Sequence, residues 1–463
     1  MLFLCYNSLV LRDRQTFNTV AWGRFNMNTN NDEKMVILGG VKLSGEVRIS
    51  GAKNSAVAIL VASILVGDKC VIENVPHVSD IVDLIEIING LGGRAEFVGE
   101  DVIEVDCSEL KSHVATGERV RRIRASSYLM GALLGRLKRA SVDLPGGCNF
   151  GVRPIDQHIK GFEALGAYVD IEYGTVNITA DSLRGNTVYM DVVSVGATID
   201  VMLAAVLADG LTVIDSAAKE PHVVDVANFL NSMGADIRGA GTDVIRIRGV
   251  ESLHGGTFSV IPDQIEAGTF MIAAAATGGD VTVTNIIPTH MESLTAKLEE
   301  MGVGIEEFDE AIRVYVDKPK LRRCNVKTQP YPGFPTDLQP QMLALLTAAN
   351  GTSIMKENVW ENRFEYVPQL NRMGASINVE GTDVAVVEGG SKLIGAPVCA
   401  TDLRAGAALV IAALMADGVT EIYNLKYIDR GYEKLVEKLR GLGAQVTRRC
   451  VNPMPEVLRA VNE

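Results

Sequence analysis

The sequence predicts an α/β protein built from six repeats of one unit, each a buried helix, a strand, an outer helix and a hairpin. Three observations carry this reading. A Met/Leu-Gly-Ala-like step recurs at Leu91-Gly92-Gly93, Leu165-Gly166-Ala167, Met233-Gly234-Ala235, Met301-Gly302-Val303, Met373-Gly374-Ala375 and Leu442-Gly443-Ala444, at intervals of roughly 70 residues. Each step follows an amphipathic run and precedes a β-like alternation, so its glycine reads as the C-terminal cap of a helix that hands the chain to a strand. Upstream of each amphipathic run lies a second, uniformly apolar one.

Taken in order, the first unit shows the grammar. Ala56 to Val66, like Ala405 to Met415 in the last unit, is apolar on every side and reads as a helix buried all round. A short β-branched segment follows. After Val75-Pro76, Ser79 or Asp80 can cap a helix whose Ile81, Leu84, Ile85 and Ile88 form one apolar stripe. Arg94 to Val98 and Val102 to Asp106 then alternate around Gly99-Glu100 as a hairpin, and the turn recurs as Gly241-Thr242-Asp243-Val244 and Gly381-Thr382-Asp383-Val384.

At 463 residues the chain exceeds what one hydrophobic core usually supports, which divides it into two domains of three units. With 47% hydrophobic but only 5% aromatic residues, those cores are expected to be aliphatic. No apolar run approaches the roughly eighteen residues needed to span a bilayer. The net charge of −13 argues against a generic nucleic-acid binder, whose footprint is basic. It leaves room for a small anionic substrate, which needs only a local cluster of cations. The seven cysteines are dispersed without a Cys-x-x-Cys pair, so a reducing compartment fits better than a disulfide framework. The histidines show no metal-ligand spacing, and neither a metal nor a cofactor is expected. Residues 1–34 fit none of the repeat grammar. Arg12, Arg14 and Arg24 leave a transit peptide open, but disorder or a start at Met27 or Met35 suits the composition better.

Aligning the units by their glycine caps puts six polar segments at the N-terminal ends of the buried helices. They are Ser50-Gly51-Ala52-Lys53-Asn54, Arg121-Arg122-Ile123-Arg124-Ala125, Ser194-Val195-Gly196-Ala197-Thr198, Asp263-Gln264-Ile265-Glu266-Ala267, Pro335-Thr336-Asp337-Leu338-Gln339 and Thr401-Asp402-Leu403-Arg404-Ala405. Helix N-termini favour anions. Lys53, Arg124 and Arg404 would add full charges there, although a lone Arg more often pairs with a surface acid. Asp337 reads equally well as a helix cap or as a general base. Between the strand and outer helix of the second unit, Leu144 to His158 holds three glycines and two prolines around Cys148 and Arg153. This loop context favours a reactive Cys148 with a lowered pKa, whereas the other six cysteines read as small buried filler. Arg153 has the planar fork suited to phosphate, and Pro154 to Gln157 could edge a flat ring.

These segments, with Gly151-Val152-Arg153-Pro154, Glu361-Asn362-Arg363-Phe364 and Ile428-Asp429-Arg430-Gly431-Tyr432-Glu433, resemble the UDP-N-acetylglucosamine 1-carboxyvinyltransferase family of enolpyruvyl transferases over about Val36 to Arg448. The resemblance implies a two-domain inside-out α/β barrel in which residues 35–53 join 262–463 in one domain and 54–261 make the other. Substrates would lie between the domains under a lid formed by the Cys148 loop. The implied reaction is enolpyruvyl transfer from phosphoenolpyruvate to the 3′-hydroxyl of UDP-N-acetylglucosamine, the first committed step of peptidoglycan synthesis. Lys53, Arg153 and Arg430 would take the phosphate, with Arg404 nearby for the carboxylate. Cys148 would protonate C3 or form a covalent adduct, and Asp337 would take the hydroxyl proton. Asn54 and Arg124 would place the sugar, with Arg363 in support. Ser194, Val195 and Gly196 would hold the diphosphate, and Pro154, Ile155, Asp156 and Gln157 would border the uracil.

Two stretches depart from the family pattern: Val192-Val193, where some members carry a lysine, and Lys219-Glu220-Pro221-His222, which replaces a more acidic run. The shikimate-pathway transferase shares the fold and phosphoenolpyruvate, but the Cys148 loop and the Ser-Val-Gly segment count against it. An RNA 3′-phosphate cyclase would call for a nucleophilic histidine and a basic surface. A silent paralogue that only binds UDP-sugars would be expected to lose Cys148, Asp337 or Arg430, and all three are present. The resemblance further implies a cytoplasmic enzyme, inactivated by fosfomycin at Cys148, with no need of an oligomer.

Overall fold

In the computed structural model, which describes residues 33–144, 155–317 and 320–450, the recurring glycine step does what its spacing implies. Gly92, Gly166, Gly234, Gly302, Gly374 and Gly443 all have φ between 90° and 102°. That left-handed conformation costs an L side chain energy but not glycine, so each ends an outer helix and turns the chain into a strand.

The six buried helices are Lys53–Ala62, Tyr128–Leu137, Val195–Ala205, Gln264–Thr277, Gln339–Leu346 and Leu403–Met415. In the first, every residue from Ser55 to Ala62 is buried, as a helix apolar on all faces requires. The second and fifth are each preceded by a 3-10 turn, Arg124–Ser127 and Thr336–Leu338. The outer helices Ser79–Gly90, Asp156–Ala164, Pro221–Ser232, Glu292–Met301, Val367–Arg372 and Leu435–Gly441 bury one stripe each. Three of them end in an asparagine whose amide bonds both backbone groups of the residue six further on: Asn89 to Ala95, Asn231 to Ile237 and Asn371 to Ile377. The amide thereby ties helix end to strand start.

Each unit contributes a four-stranded sheet, one strand more than the repeat grammar predicts. In the second unit the added strand is Val114–Ala115, too short to show alternation, which pairs in parallel with Arg139–Asp143. The buried helix is thus the crossover that a parallel pair needs. Tyr168–Glu172 and Thr175–Thr179 complete the sheet as an antiparallel hairpin, Tyr168 opposite Thr179. The sixth unit departs from the grammar. Gln445–Cys450, the last described strand, pairs with Glu33–Leu38 from the other end of the chain, Ile37 opposite Val446. Glu33–Leu38 also pairs with Val419–Tyr423, so the first strand closes the last sheet.

At two units the strand that enters the buried helix is exchanged. Ser44–Arg48 leads into the first buried helix but pairs with Asp280–Thr284, whereas Gly256–Ser259 leads into the fourth but pairs with Lys69–Glu73. The buried apolar side chains correspondingly form two clusters, one from Ala52 to Val260 and one from Met35 to Ile49 with Ile265 to Val446. The chain passes between them twice, and the two passages are hydrogen-bonded together: Ala52 N–H to the Ile261 carbonyl at 2.7 Å and Asp263 N–H to the Ser50 carbonyl at 2.9 Å. Among the described residues no helix is long and apolar enough to cross a membrane.

The cysteine expectation holds for Cys70, Cys107, Cys324 and Cys399, which are buried. Burial pushes the Cys107 and Cys324 thiols up to about 12, which keeps them inert. Cys450 corrects it. It is exposed, because it ends an edge strand. Residues 1–32, including Cys5, and the segment 145–154 with Cys148, Arg153 and Pro154 lie outside the described residues.

Candidate active site

The double passage brings the starts of the first and fourth buried helices together. Asp263 caps the fourth helix by accepting from the N–H groups of Ile265 and Glu266, and its second oxygen accepts the Lys53 N–H at 3.2 Å. Lys53 therefore stands where the two cores meet. Its ammonium lies 2.7 Å from Asp80, and the Arg430 guanidinium reaches the same carboxylate at 2.9 and 3.3 Å. Asp80 is buried, and desolvation works against its charged form; the two cations outweigh that and hold its carboxyl below the usual value. The expectation that Ser79 or Asp80 caps the outer helix fails, since that helix starts after Val78 with no side-chain cap. Asp80 instead spends its oxygens on two cations from different parts of the chain. The segment after Arg430 keeps the cores in register: Glu433 accepts the His77 N–H at 2.9 Å, and Lys434 pairs with Glu100.

Asp337 anchors a second charged group. It makes no cap bond, which removes one of its two sequence readings. Arg404 lies 2.9 Å from one oxygen and Arg363 3.4 Å from the other. Burial disfavours its ionisation, yet Arg404 and Arg363 override this and hold its carboxyl far below the ordinary range. Arg404 is presented by the sixth buried helix, whose cap Asp402 accepts from the N–H groups of Arg404 and Ala405. Its guanidinium lies 5.8 Å from the Tyr432 ring. The Tyr432 hydroxyl bonds Thr269 at 2.9 Å and the Gln341 amide at 3.2 Å, and that amide also donates to the Asp337 carbonyl. This buried chain ties the Asp337 backbone to Tyr432, two residues after Arg430, and so links the two charged groups.

Glu357 shapes the loop that brings Arg363. It accepts from the hydroxyls of Thr328 and Thr336 and from the N–H groups of Val359 and Trp360. The loop also offers the Trp360 ring to Arg124, whose guanidinium sits 4.8 Å from its centroid. His222 faces the same region. Burial lowers its imidazole below the usual value, against the pull of Glu220, Asp337 and Asp263.

The structure thus gathers Lys53, Arg430, Asp337, Arg363 and Arg404 into two linked ion clusters, with Asn54 half-buried beside Lys53 on the first helix turn. Arg124 approaches from the 54–261 side. The remaining residues form another group. Ser194 caps the third buried helix through the Ala197 N–H, with Val195 and Gly196 in its first turn. Ile155, Asp156 and Gln157 start the outer helix packed against it, and Gln157 bonds both Asp156 and Asp191. Sequence reasoning missed Asp80 as a partner for Lys53 and Arg430, and it missed Glu357, Gln341 and Tyr432 as supports. The one available signal was a carboxylate beside an otherwise apolar stripe, at Asp80.

Six four-stranded sheets around buried helices, with two ion clusters where the chain passes between cores, define an enolpyruvyl transferase. The chain belongs to that family: residues 37–439 match the family model described as EPSP synthase (3-phosphoshikimate 1-carboxyvinyltransferase). It is 58% identical to a Clostridium botulinum protein named UDP-N-acetylglucosamine 1-carboxyvinyltransferase, over 90% of this chain and 99% of the relative. A Bacillus subtilis UDP-N-acetylglucosamine 1-carboxyvinyltransferase 2 is 55% identical, over 90% and 96%. Among solved structures, the enolpyruvyl transferase NikO from Streptomyces tendae superposes with a TM-score of 0.83 at 29% identity, covering 90% of this chain and 99% of its own. An EPSP synthase from Acinetobacter baumannii shares the fold, with a TM-score of 0.69 at 18% identity over 90% and 100%.

Proposed function

We propose that this site transfers the enolpyruvyl group of phosphoenolpyruvate to the 3′-hydroxyl of UDP-N-acetylglucosamine and releases phosphate, the reaction that commits the sugar nucleotide to peptidoglycan. The observation that carries it is the pair of ion clusters, one with two cations on Asp80 and one with two on Asp337. A compact polyanion needs several fixed cations to offset its lost hydration. Lys53 and Arg430, pre-oriented by Asp80, take the phosphate together with Arg153. Arg404 takes the carboxylate.

Transfer begins with a proton added at C3 of phosphoenolpyruvate, supplied by the Cys148 thiol. The 3′-oxygen then bonds to C2 and its proton passes to Asp337, giving a tetrahedral ketal that still carries phosphate. Return of a C3 proton to the Cys148 thiolate expels phosphate and restores the double bond. Asp337 as it stands is ionised but weakly basic, because Arg404 and Arg363 stabilise its charge. When Arg404 turns to the substrate carboxylate its hold on Asp337 loosens, so the base gains strength only when phosphoenolpyruvate is present. Asn54 and Arg124 orient the sugar, and Arg363 fixes the remaining oxygen of Asp337. The first-turn amides at Ser194 to Gly196 take the diphosphate, and the start of the Asp156–Ala164 helix borders the uracil. Both substrates are made in the cytoplasm, where the enzyme works on its own.

Acceptor choice tests this reading against the shikimate-type reaction of the same fold. Purified protein with phosphoenolpyruvate should release phosphate when given UDP-N-acetylglucosamine and none above background when given shikimate 3-phosphate. The reverse preference would overturn it.

A further inference from the structure

The residues around the third buried helix hold a histidine–carboxylate pair that the reaction above leaves unused. His158 lies in the first turn of the Asp156–Ala164 helix, with a side chain only 9% exposed. Its Nδ1 sits 2.7 Å from Asp200, a fully buried carboxylate in the middle of the third buried helix. The other oxygen of Asp200 accepts the Gly131 N–H at 2.9 Å, a first-turn amide of the second buried helix. Asp200 is therefore saturated by two partners and fixes the imidazole from behind.

The far edge of the ring is not saturated. His158 Nε2 makes no hydrogen bond among the described residues. It is aimed at Gly196: a Cβ built there would lie 3.0 Å from both His158 Cε1 and Nε2. Gly196 occupies the first turn of the third buried helix, where N–H groups lack intrahelical acceptors. Close packing fixes the approach, since a Cβ on Gly161 would lie 2.1 Å from Val201 and the two helices can come together only with glycine there. A ring with a side chain only 9% exposed, its Nε2 unpartnered among the described residues, pressed against a helix N-terminus and backed by a carboxylate, is built to meet an anion.

We infer that His158, oriented by Asp200, is a positioning residue for the nucleotide diphosphate, donating from Nε2 to an oxygen seated on the first-turn amides of Val195 and Gly196. This rests on the proposed UDP-sugar substrate and extends it, because the sequence resemblance assigns only backbone donors there. Asp200 accepts the hydrogen bond from Nδ1–H, and a ring protonated on both nitrogens then points Nε2–H at the anion. Burial raises the Asp200 carboxyl above its usual value while His158 and the Gly131 N–H oppose it, which matches an acid held for a partner rather than for solvent.

The test separates diphosphate binding from chemistry. His158→Gln keeps the size of the side chain and removes its charge. Binding of UDP by calorimetry and KM for UDP-N-acetylglucosamine should both weaken roughly tenfold, as loss of a hydrogen bond to a charged group predicts. The KM for phosphoenolpyruvate and kcat should move less than about threefold, because the reacting atoms lie elsewhere. Asp200→Asn serves as the second variant. Its oxygen can still accept from Gly131 while its amide donates to Nδ1, which leaves a neutral ring, so UDP should weaken in the same direction. Equal UDP affinity in wild type and in both folded variants would overturn the inference and leave the substrate assignment standing. Failure of the wild-type protein to bind UDP would overturn both.

Discussion

Asp80→Asn removes the one carboxylate shared by two cations, and its cost follows from the geometry. Lys53 and Arg430 lie 2.7 and 2.9 Å from it, with side chains only 13% exposed and Asp80 itself 4% exposed. At such separations a unit pair attracts by about 6 kcal/mol with an effective dielectric of about 20, and desolvation opposes this. Removing one partner of a buried pair costs about 3–5 kcal/mol, because a charge is left uncompensated. Both pairs share one carboxylate, so the variant should lose about that much once rather than twice. The Asp80 carboxyl is depressed in the folded state, so its stabilisation is present above the ordinary carboxyl value of about 4 and is lost as pH falls through the folded value. Urea unfolding at pH 7 and pH 3 measures this, and the difference between wild type and Asp80→Asn should shrink at the lower pH. Millimolar phosphate should restore more stability to the variant than to wild type, because two unpaired cations await an anion. In turnover, kcat should fall at least about tenfold as Lys53 and Arg430 lose their orientation. A variant within about 1 kcal/mol of wild type, with unchanged kcat and phosphoenolpyruvate KM, would refute the reasoning.

Three further outcomes are expected. Arg363→Met removes one of the two cations holding Asp337 ionised while burial and Arg404 remain, so the acid limb of kcat/KM should move to higher pH than in wild type; superimposable pH profiles would argue against Asp337 as the base. Asp225, buried and pushed up to about 6, binds more protons folded than unfolded between about pH 4 and 6, so it costs stability as pH rises through that window. Asp225→Asn, which can still accept the Ile261 N–H, should stabilise the protein at pH 8 by on the order of 2–3 kcal/mol and much less at pH 4, as denaturant midpoints will show. Fosfomycin should inactivate wild type by adding to Cys148 and leave the residual turnover of Cys148→Ala untouched; intact-mass measurement of the adduct checks it.

What could be read from the sequence was whatever is encoded within one turn or one strand. The glycine of each helix-ending step needs positive φ, and uniform apolarity against a stripe separates buried from outer helices. The six helix-start segments follow from the same alignment. What could not be read is long-range. Asp80 satisfies every local requirement of a helix cap, and only its pairing with Arg430, 350 residues away, shows otherwise. The exchange of Ser44–Arg48 and Gly256–Ser259 between sheets leaves both strands locally ordinary. The antiparallel partner of Gln445–Cys450 is the chain's first described strand, which no local pattern announces. Likewise Thr269 and Gln341, on two buried helices, and Tyr432, in the link before the last outer helix, look unremarkable until packing brings their polar atoms together.

The central claim is that one site joins phosphoenolpyruvate to UDP-N-acetylglucosamine with Asp337 as proton acceptor. The most direct test incubates both substrates with wild type and with folded Asp337→Asn, following phosphate release and the mass of the sugar nucleotide together. Wild type should give stoichiometric phosphate and an enolpyruvyl-bearing nucleotide, with turnover reduced at least about a hundredfold in the variant. Phosphate released without a heavier nucleotide, or a variant as fast as wild type, would contradict it.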